Sequence, residues 1–89
     1  MNQRQAVCTM VLKEECVYFG GMGLRYRLLV RSKAGICQYS IGVGLKEEYC
    51  EMEVGQDPEL AITYYRRIVQ GRVTPCSLGD VLQDLCNCV

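Results

Sequence analysis

LRYRLLVR, residues 24–31, decides the fold of this 89-residue chain. Its apolar and polar residues alternate with period 2, the pattern of a β-strand that has one face against a core and one against water. The predicted inner side chains are Leu24, Tyr26, Leu28 and Val30, and the predicted outer ones are Arg25, Arg27, Leu29 and Arg31. The chain is therefore expected to build a sheet with one apolar face.

Three further segments are predicted as strands beside residues 24–31. They are AVCTMVLK (6–13), ICQYSIGV (36–43) and EEYCEMEV (47–54), and the SKAG segment (32–35) supplies a turn signal. Short connections favour antiparallel neighbours, because parallel pairing needs a crossover of a dozen residues or more. We therefore predict an antiparallel meander of about four strands.

Glycines mark two irregular places in this half of the chain. CVYFGGMG, residues 16–23, is predicted as a wide hairpin loop around Gly20 and Gly21 with a short extra strand at 16–19, and the sequence does not fix the register of residues 14–23. The GVG segment at 42–44 predicts a bulge or a sharp bend. It is not a phosphate-binding loop, since neither a lysine–serine/threonine pair nor a helix follows it.

The second half of the chain changes to helical periodicity. Asp57 is a natural N-cap, Pro58 suits the first helical position, and Gly71 is predicted to end the helix in a left-handed conformation. A second helix is predicted to start near Thr74 or Ser77. The apolar stripes of the two helices are Ala61, Tyr64, Tyr65 and Ile68, then Leu78, Val81, Leu82 and Leu85. Strands followed by helices predict one α+β domain over residues 1–89, with both helices packed on one face of the sheet.

Composition narrows the class of protein. Ten basic and ten acidic residues cancel, which argues against a nonspecific nucleic-acid binder. No stretch approaches the roughly 18 apolar residues of a membrane helix, and no long apolar run precedes the first charges, so we expect neither a membrane span nor a signal peptide. Seven cysteines, an odd number spread through apolar patterns, favour free thiols in a cytoplasmic protein.

The closing helix raises two chemical alternatives, a DNA-reading helix and a thiol or metal site, and we interpret it instead as a lid on the core. A DNA-reading helix is disfavoured, because no lysine or arginine follows Pro75 while Asp80 and Asp84 do. A thiolate metal site lacks the two paired half-sites that zinc usually needs. The thiols concerned are Cys76, Cys86 and Cys88. The chain has no histidine and no catalytic constellation, so we expect no enzyme, no cofactor and no metal.

The outer face of the sheet is the predicted binding surface. Its candidate partner-binding residues are Arg25, Arg27, Arg31 and Tyr49. Arginine and tyrosine are enriched at protein interfaces, but similar sheets also stack single-stranded bases. We predict a small protein-interaction or regulatory module; the alternatives are a weak single-stranded nucleic-acid binder and a thiolate metal-binding protein. Only nucleic-acid binding should weaken steeply with salt.

The partner itself is expected to be an unknown protein or a second copy of the chain. Small domains often gain burial by forming two-fold dimers. The candidate dimer surfaces are an exposed edge strand and the outer sheet face around Leu29, Ile36 and Tyr49. The sequence does not choose between them.

The helical third resembles a known group of proteins. DPELAITYYRRIVQGRVTPCSLGDVLQDL, residues 57–85, contains an aspartate-led helix, the step Val73-Thr74-Pro75 and a closing helix with the pattern Leu-x-Asp-Val-Leu-x-Asp-Leu. This order is similar to that of a family of short uncharacterised proteins from Clostridia-type Firmicutes. Ser77 stands where that family usually carries histidine. The resemblance implies a bacterial source and a size class, and it implies no chemistry.

Overall fold

A computed structural model describes residues 7–87 and contains four strands followed by two helices. The elements are β1 (Cys8–Phe19), β2 (Met22–Lys33), β3 (Ile36–Leu45), β4 (Glu48–Gly55), α1 (Pro58–Gln70) and α2 (Leu78–Asn87), with a 3-10 turn at Pro75–Ser77 before α2. The strands form one antiparallel sheet in the order β1-β2-β3-β4. This confirms the predicted α+β fold, a four-stranded meander followed by two helices.

The wide loop predicted at residues 16–23 is wrong. Strand β1 runs unbroken to Phe19 and pairs with β2 over its whole length, so the predicted extra strand at 16–19 is its second half. Gly20 and Gly21 form the turn alone, with φ of 62° and 80°. Two successive left-handed residues match the twist of a tight hairpin, and glycine adopts them at no steric cost.

The predicted alternation is confirmed for residues 24–28, whereas Val30, predicted to face the core, is only partly buried. Leu24, Tyr26 and Leu28 are buried against the helices, together with Ile41 and Val43 of β3. The strand register sets Arg25, Arg27, Leu29 and Arg31 on the opposite side of the sheet, which we call the open face. Leu29 is nevertheless only 4% exposed, so it is not available as the dimer contact that the sequence suggested.

Helix α1 begins as predicted and ends differently. The Asp57 side chain accepts hydrogen bonds from the backbone N–H groups of Glu59 and Leu60, at 3.0 and 3.4 Å. Gly71 keeps a right-handed conformation, and the left-handed residue is Arg72, with φ of 50°. The N–H of Val73 then reaches the carbonyl of Ile68. This is the hydrogen bond of a Schellman ending, shifted one residue beyond the predicted position.

Helix α2 is the predicted lid on the core. Leu78 and Leu82 are 0% and 5% exposed, and Val81 and Leu85 are half-buried against the same cluster. Helix α1 supplies the buried side chains next to them and packs over β2, β3 and β4, while α2 packs against α1 and β4. The inner face of β1, at the edge of the sheet, therefore lies largely outside this cover.

Two buried tyrosines connect the layers. The Tyr26 hydroxyl donates to the backbone carbonyl of Val73 at 3.0 Å, and the Tyr65 hydroxyl donates to the carbonyl of Tyr26 at 3.5 Å. Burial raises the pKa of both tyrosines. These hydrogen bonds hold the loop before α2 and helix α1 onto the central strand.

No helix among residues 7–87 has the length and apolar character needed to span a membrane.

Candidate functional site

The open face carries all four of the predicted partner-binding residues. Arg25, Arg27 and Arg31 come from β2, and Tyr49 comes from β4, across the intervening strand β3. Strand β3 contributes Gly42 and Gly44 to the same face, directly opposite Arg27 and Arg25. The centre of the open face therefore lacks side chains at Gly42 and Gly44, and long side chains from β2 and β4 can lie over these two glycines.

The two glycines explain the GVG segment, and the bulge predicted there is wrong. Strand β3 keeps its register through Gly42 and Gly44, and the sheet's register shifts lie instead at Val11/Lys13 and at Tyr39/Ser40. A Cβ on Gly42 would overlap the Tyr49 hydroxyl. A Cβ on Gly44 would lie 2.7 Å from the Arg25 guanidinium. Glycine is used here for the close approach of a neighbouring side chain.

Two of the three arginines are paired with carboxylates. The Arg27 Nε lies 3.0 Å from the Glu14 carboxylate of β1, and this hydrogen bond raises the pKa of Arg27. Arg31 forms an ion pair with Glu51 of β4 and donates to the Ser40 hydroxyl at 3.3 Å. Such cross-strand ion pairs are expected on the solvent-exposed face of an antiparallel sheet. Each contributes about 0.2–1 kcal/mol to the stability of the fold.

Tyr49 extends the Arg31–Glu51 pair. Its hydroxyl donates to the Glu51 carboxylate at 2.8 Å, so Glu51 binds both Tyr49 and Arg31. Partial burial raises the pKa of the Tyr49 phenol, and its bond to Glu51 adds to the shift. Tyr49 is still 49% exposed, which leaves part of its ring available for contact.

Arg25 differs from the other two arginines. Its guanidinium donates to the backbone carbonyl of Lys46 at 3.0 Å, and within residues 7–87 it forms no ion pair. A carbonyl partner leaves the full positive charge of Arg25 uncompensated. Arg25 is therefore the position on the open face where an anionic group would be most favourably placed.

A cavity of about 300 Å³ gathers three of the four predicted residues. It is lined by Arg25, Arg27, Tyr49 and Glu14, while Arg31 lies outside it. Sequence reasoning missed Glu14 because it follows the strand predicted at 6–13 and lies in the stretch 14–23 whose strand register was left open. The cavity combines two guanidinium groups with one carboxylate, so it suits a small anionic group better than a run of phosphates.

A second surface was not predicted in this form. We call it the β1 edge, which is the edge of the sheet formed by strand β1. Its exposed apolar residues are Met10 (61%), Val11 (44%), Leu12 (44%) and Tyr18 (76%). Three of these residues form the consecutive run MVL at 10–12, which breaks the period-2 alternation. That run was a usable signal, since a strand with one buried face has no reason to be apolar on both sides.

The thiols do not assemble into a centre within the described part of the chain. Among residues 7–87, no group of three or more cysteine, aspartate or glutamate side chains is arranged to hold a metal ion. Cys76 and Cys86 are exposed free thiols there. Cys88 lies outside the described residues, so a role for the Cys86-x-Cys88 pair stays untested.

Comparison of the chain with protein-family models, with curated proteins and with solved structures finds no significant match. The resemblance of residues 57–85 to the Clostridia-type family therefore stays a prediction.

Proposed function

We propose that the protein is a small, non-enzymatic protein-interaction module of the cytosol that binds its partner along the β1 edge. The observation that carries this proposal is a run of three consecutive exposed apolar residues, Met10, Val11 and Leu12, on an edge strand of twelve residues. We call this run the apolar row. An uncovered edge offers backbone N–H and C=O groups to an added strand, and exposed apolar side chains beside it favour such pairing.

The predicted residues of the open face adjoin this edge. Glu14 belongs to β1 and also lines the cavity with Arg25, Arg27 and Tyr49. A partner strand beside β1 would therefore pass the rim of the cavity, where Arg25 and Tyr49 can contact an acidic or polar side chain. We retain these residues as secondary contacts, and the apolar edge supplies the main driving force.

The proposal is tested with a matched pair of substitutions. Leu12 on β1 and Leu60 on α1 are 44% and 43% exposed, so Leu12→Glu and Leu60→Glu place the same charge at equally accessible positions. Tagged wild-type protein and the Leu60→Glu variant should capture the same partner from native lysate under reducing conditions, and Leu12→Glu should lose it. Capture should hardly change between about 50 and 200 mM salt.

Equal capture by all three proteins would contradict the proposal, since the edge would then play no part in binding. Circular dichroism of each variant checks that the fold is retained. A partner that is lost after nuclease treatment, or as salt rises, would point to the alternative below.

Weak binding of single-stranded nucleic acid is the second candidate function. The observation that favours it is the uncompensated guanidinium of Arg25 in one cavity with the half-exposed ring of Tyr49. A fluorescent single-stranded oligonucleotide should then bind at about 50 mM salt and be released near 200 mM. Arg25→Ala should abolish that binding, while Lys33→Ala, at the far end of β2, should not. No binding at low salt would exclude this function.

A further inference from the structure

We propose that the partner of the β1 edge is a second copy of this chain, paired through antiparallel β1 strands into one continuous eight-stranded sheet. This inference rests on the proposed function, because it takes the β1 edge as the binding surface. It names the partner and fixes the register of the two strands.

The two edges of the sheet are not equivalent. Strand β4 is short, with eight residues, carries three glutamates and contacts both the 3-10 turn and α2. Strand β1 is twelve residues long, and its exposed residues include an apolar row. Short, charged and covered edges resist strand addition, whereas a long apolar edge invites it. β1 is therefore the edge at which a second sheet can be added.

The charges at the centre of β1 are self-complementary. Lys13, Glu14 and Glu15 are consecutive, and all three are exposed, although Glu15 also lies beside the Tyr65 hydroxyl of α1. A two-fold axis at Glu14 places Lys13 directly opposite Glu15 of the second copy, and the reverse pair follows by symmetry. Lys13 and Glu15 lie on the same side of the sheet, opposite Leu28 and Tyr26 of β2. Directly opposed pairs of opposite charge stabilise antiparallel strands.

The axis also brings the two Glu14 side chains together on the open face. Each Glu14 carboxylate is already bound to Arg27 at 3.0 Å. The charges along the shared face would therefore run Arg27, Glu14, Glu14 and Arg27, with each carboxylate compensated by its own arginine. This arrangement removes most of the repulsion that two unpaired glutamates would cause at this point.

The apolar row finds its complement when the bulge of β1 is included. Pairing with β2 shifts by one residue between Val11 and Lys13, with Leu12 as the extra residue. The same one-residue shift on the other side of β1 sets Val11 opposite Cys16 and Met10 opposite Val17 of the second copy. Each of these pairs shares a face of the sheet, so the exposed Met10 and Val11 would lie against the half-buried Val17 and the exposed Cys16 in both halves of the interface.

The register predicts a charge-swap experiment. Lys13→Glu alone sets glutamate opposite Glu15, and Glu15→Lys alone sets lysine opposite Lys13, in two symmetric pairs per dimer. Each single variant should raise the dimer dissociation constant at least about tenfold, because two favourable pairs become repulsive. The double variant Lys13→Glu/Glu15→Lys restores opposite charges and should dimerise within about threefold of wild type.

The measurement is sedimentation equilibrium or light scattering over a concentration series, in reducing buffer at moderate salt. Lys33→Glu makes the same charge change at the exposed end of β2 and should dimerise like wild type. Far-ultraviolet circular dichroism and an unfolding curve for each variant distinguish weaker dimerisation from loss of the folded structure. A double variant as weak as the single variants would overturn the proposed register.

A wild-type chain that stays monomeric across the whole series would overturn the dimer. The proposed function would survive that result if Leu12→Glu, but not Leu60→Glu, still lost a partner from lysate, and the edge would then bind an extended segment of another protein. If Leu12→Glu changed neither dimerisation nor capture, both proposals would be wrong.

Discussion

Leu82→Ala is the substitution that tests how much the closing helix contributes to the fold. Leu82 lies on α2, is 5% exposed and belongs to the core cluster formed by the sheet and α1. Removing a buried leucine side chain loses its transfer free energy and leaves a cavity, which together cost about 2–5 kcal/mol. Because Leu82 is at the margin of the core, neighbouring side chains can partly fill the space, and we expect about 3 kcal/mol.

That loss is large for a chain of this length. A domain of 89 residues is expected to have a free energy of unfolding of roughly 4–13 kcal/mol. With a urea m-value of about 1–2 kcal/mol/M, losing about 3 kcal/mol lowers the unfolding midpoint by about 1.5–3 M. The assay is urea unfolding followed by circular dichroism under reducing conditions, with wild type and variant at the same protein concentration.

Leu60→Ala is the matched control, because it removes the same atoms from an α1 position that is 43% exposed. We expect its midpoint to shift by no more than about 0.5 M, since surface substitutions usually change stability by about 0.5 kcal/mol or less. A Leu82→Ala midpoint equal to that of wild type, or equal shifts for both variants, would refute the assignment of α2 to the core.

The remaining predictions concern the buried tyrosines. Tyr26→Phe removes the hydroxyl that donates to the Val73 carbonyl at 3.0 Å, which leaves a buried acceptor unpaired and should cost about 1–3 kcal/mol by urea unfolding; an unchanged midpoint would contradict this. Burial also raises the pKa of Tyr26 and Tyr65 above the ordinary 10.0, so the unfolded chain loses these protons first as pH rises. Stability should therefore be retained below about pH 10 and fall above it, as measured by urea midpoints at successive pH values. Tyr26→Phe should fall less steeply than wild type, and a parallel pH curve for the two proteins would count against this explanation.

The strands and helices could be predicted where one period of burial governs a long segment. Residues 24–28 alternate between apolar and polar, and the structure buries Leu24, Tyr26 and Leu28 as expected. The apolar stripe of α1 and its Asp57 N-cap could be predicted equally well. In each case the local sequence pattern and the tertiary contacts favour the same conformation, so the local pattern was sufficient to predict the element.

Predictions failed where glycine was the main signal. Gly20 and Gly21 were expected in a wide loop and make a two-residue turn, and Gly71 was expected to be left-handed where Arg72 is. Glycine tolerates many conformations, so its position in a sequence marks a break without defining its geometry. Gly42 and Gly44 have their positions for a different reason, because side chains from neighbouring strands lie over them.

The candidate site was predicted in part. Arg25, Arg27 and Tyr49 meet around one cavity as the shared face implied, but Arg31 pairs with Glu51 outside it and Glu14 takes the fourth place. The role of all these residues in binding stays a prediction. Which arginine keeps its charge uncompensated depends on the strand register, which a single strand's pattern does not contain.

The sequence by itself determined the order of elements, the inner face of the sheet and the lid formed by α2, because apolar periodicity and capping residues act within a few residues of each other. Only the tertiary structure decided that the helices lie mainly over β2, β3 and β4, and that β1 is a long edge with Met10, Val11 and Leu12 exposed. The physical reason is that burial of a side chain depends on which elements come to lie above it. Two helices cannot cover four strands equally, and the chain's own pattern does not state which strand is left at the margin.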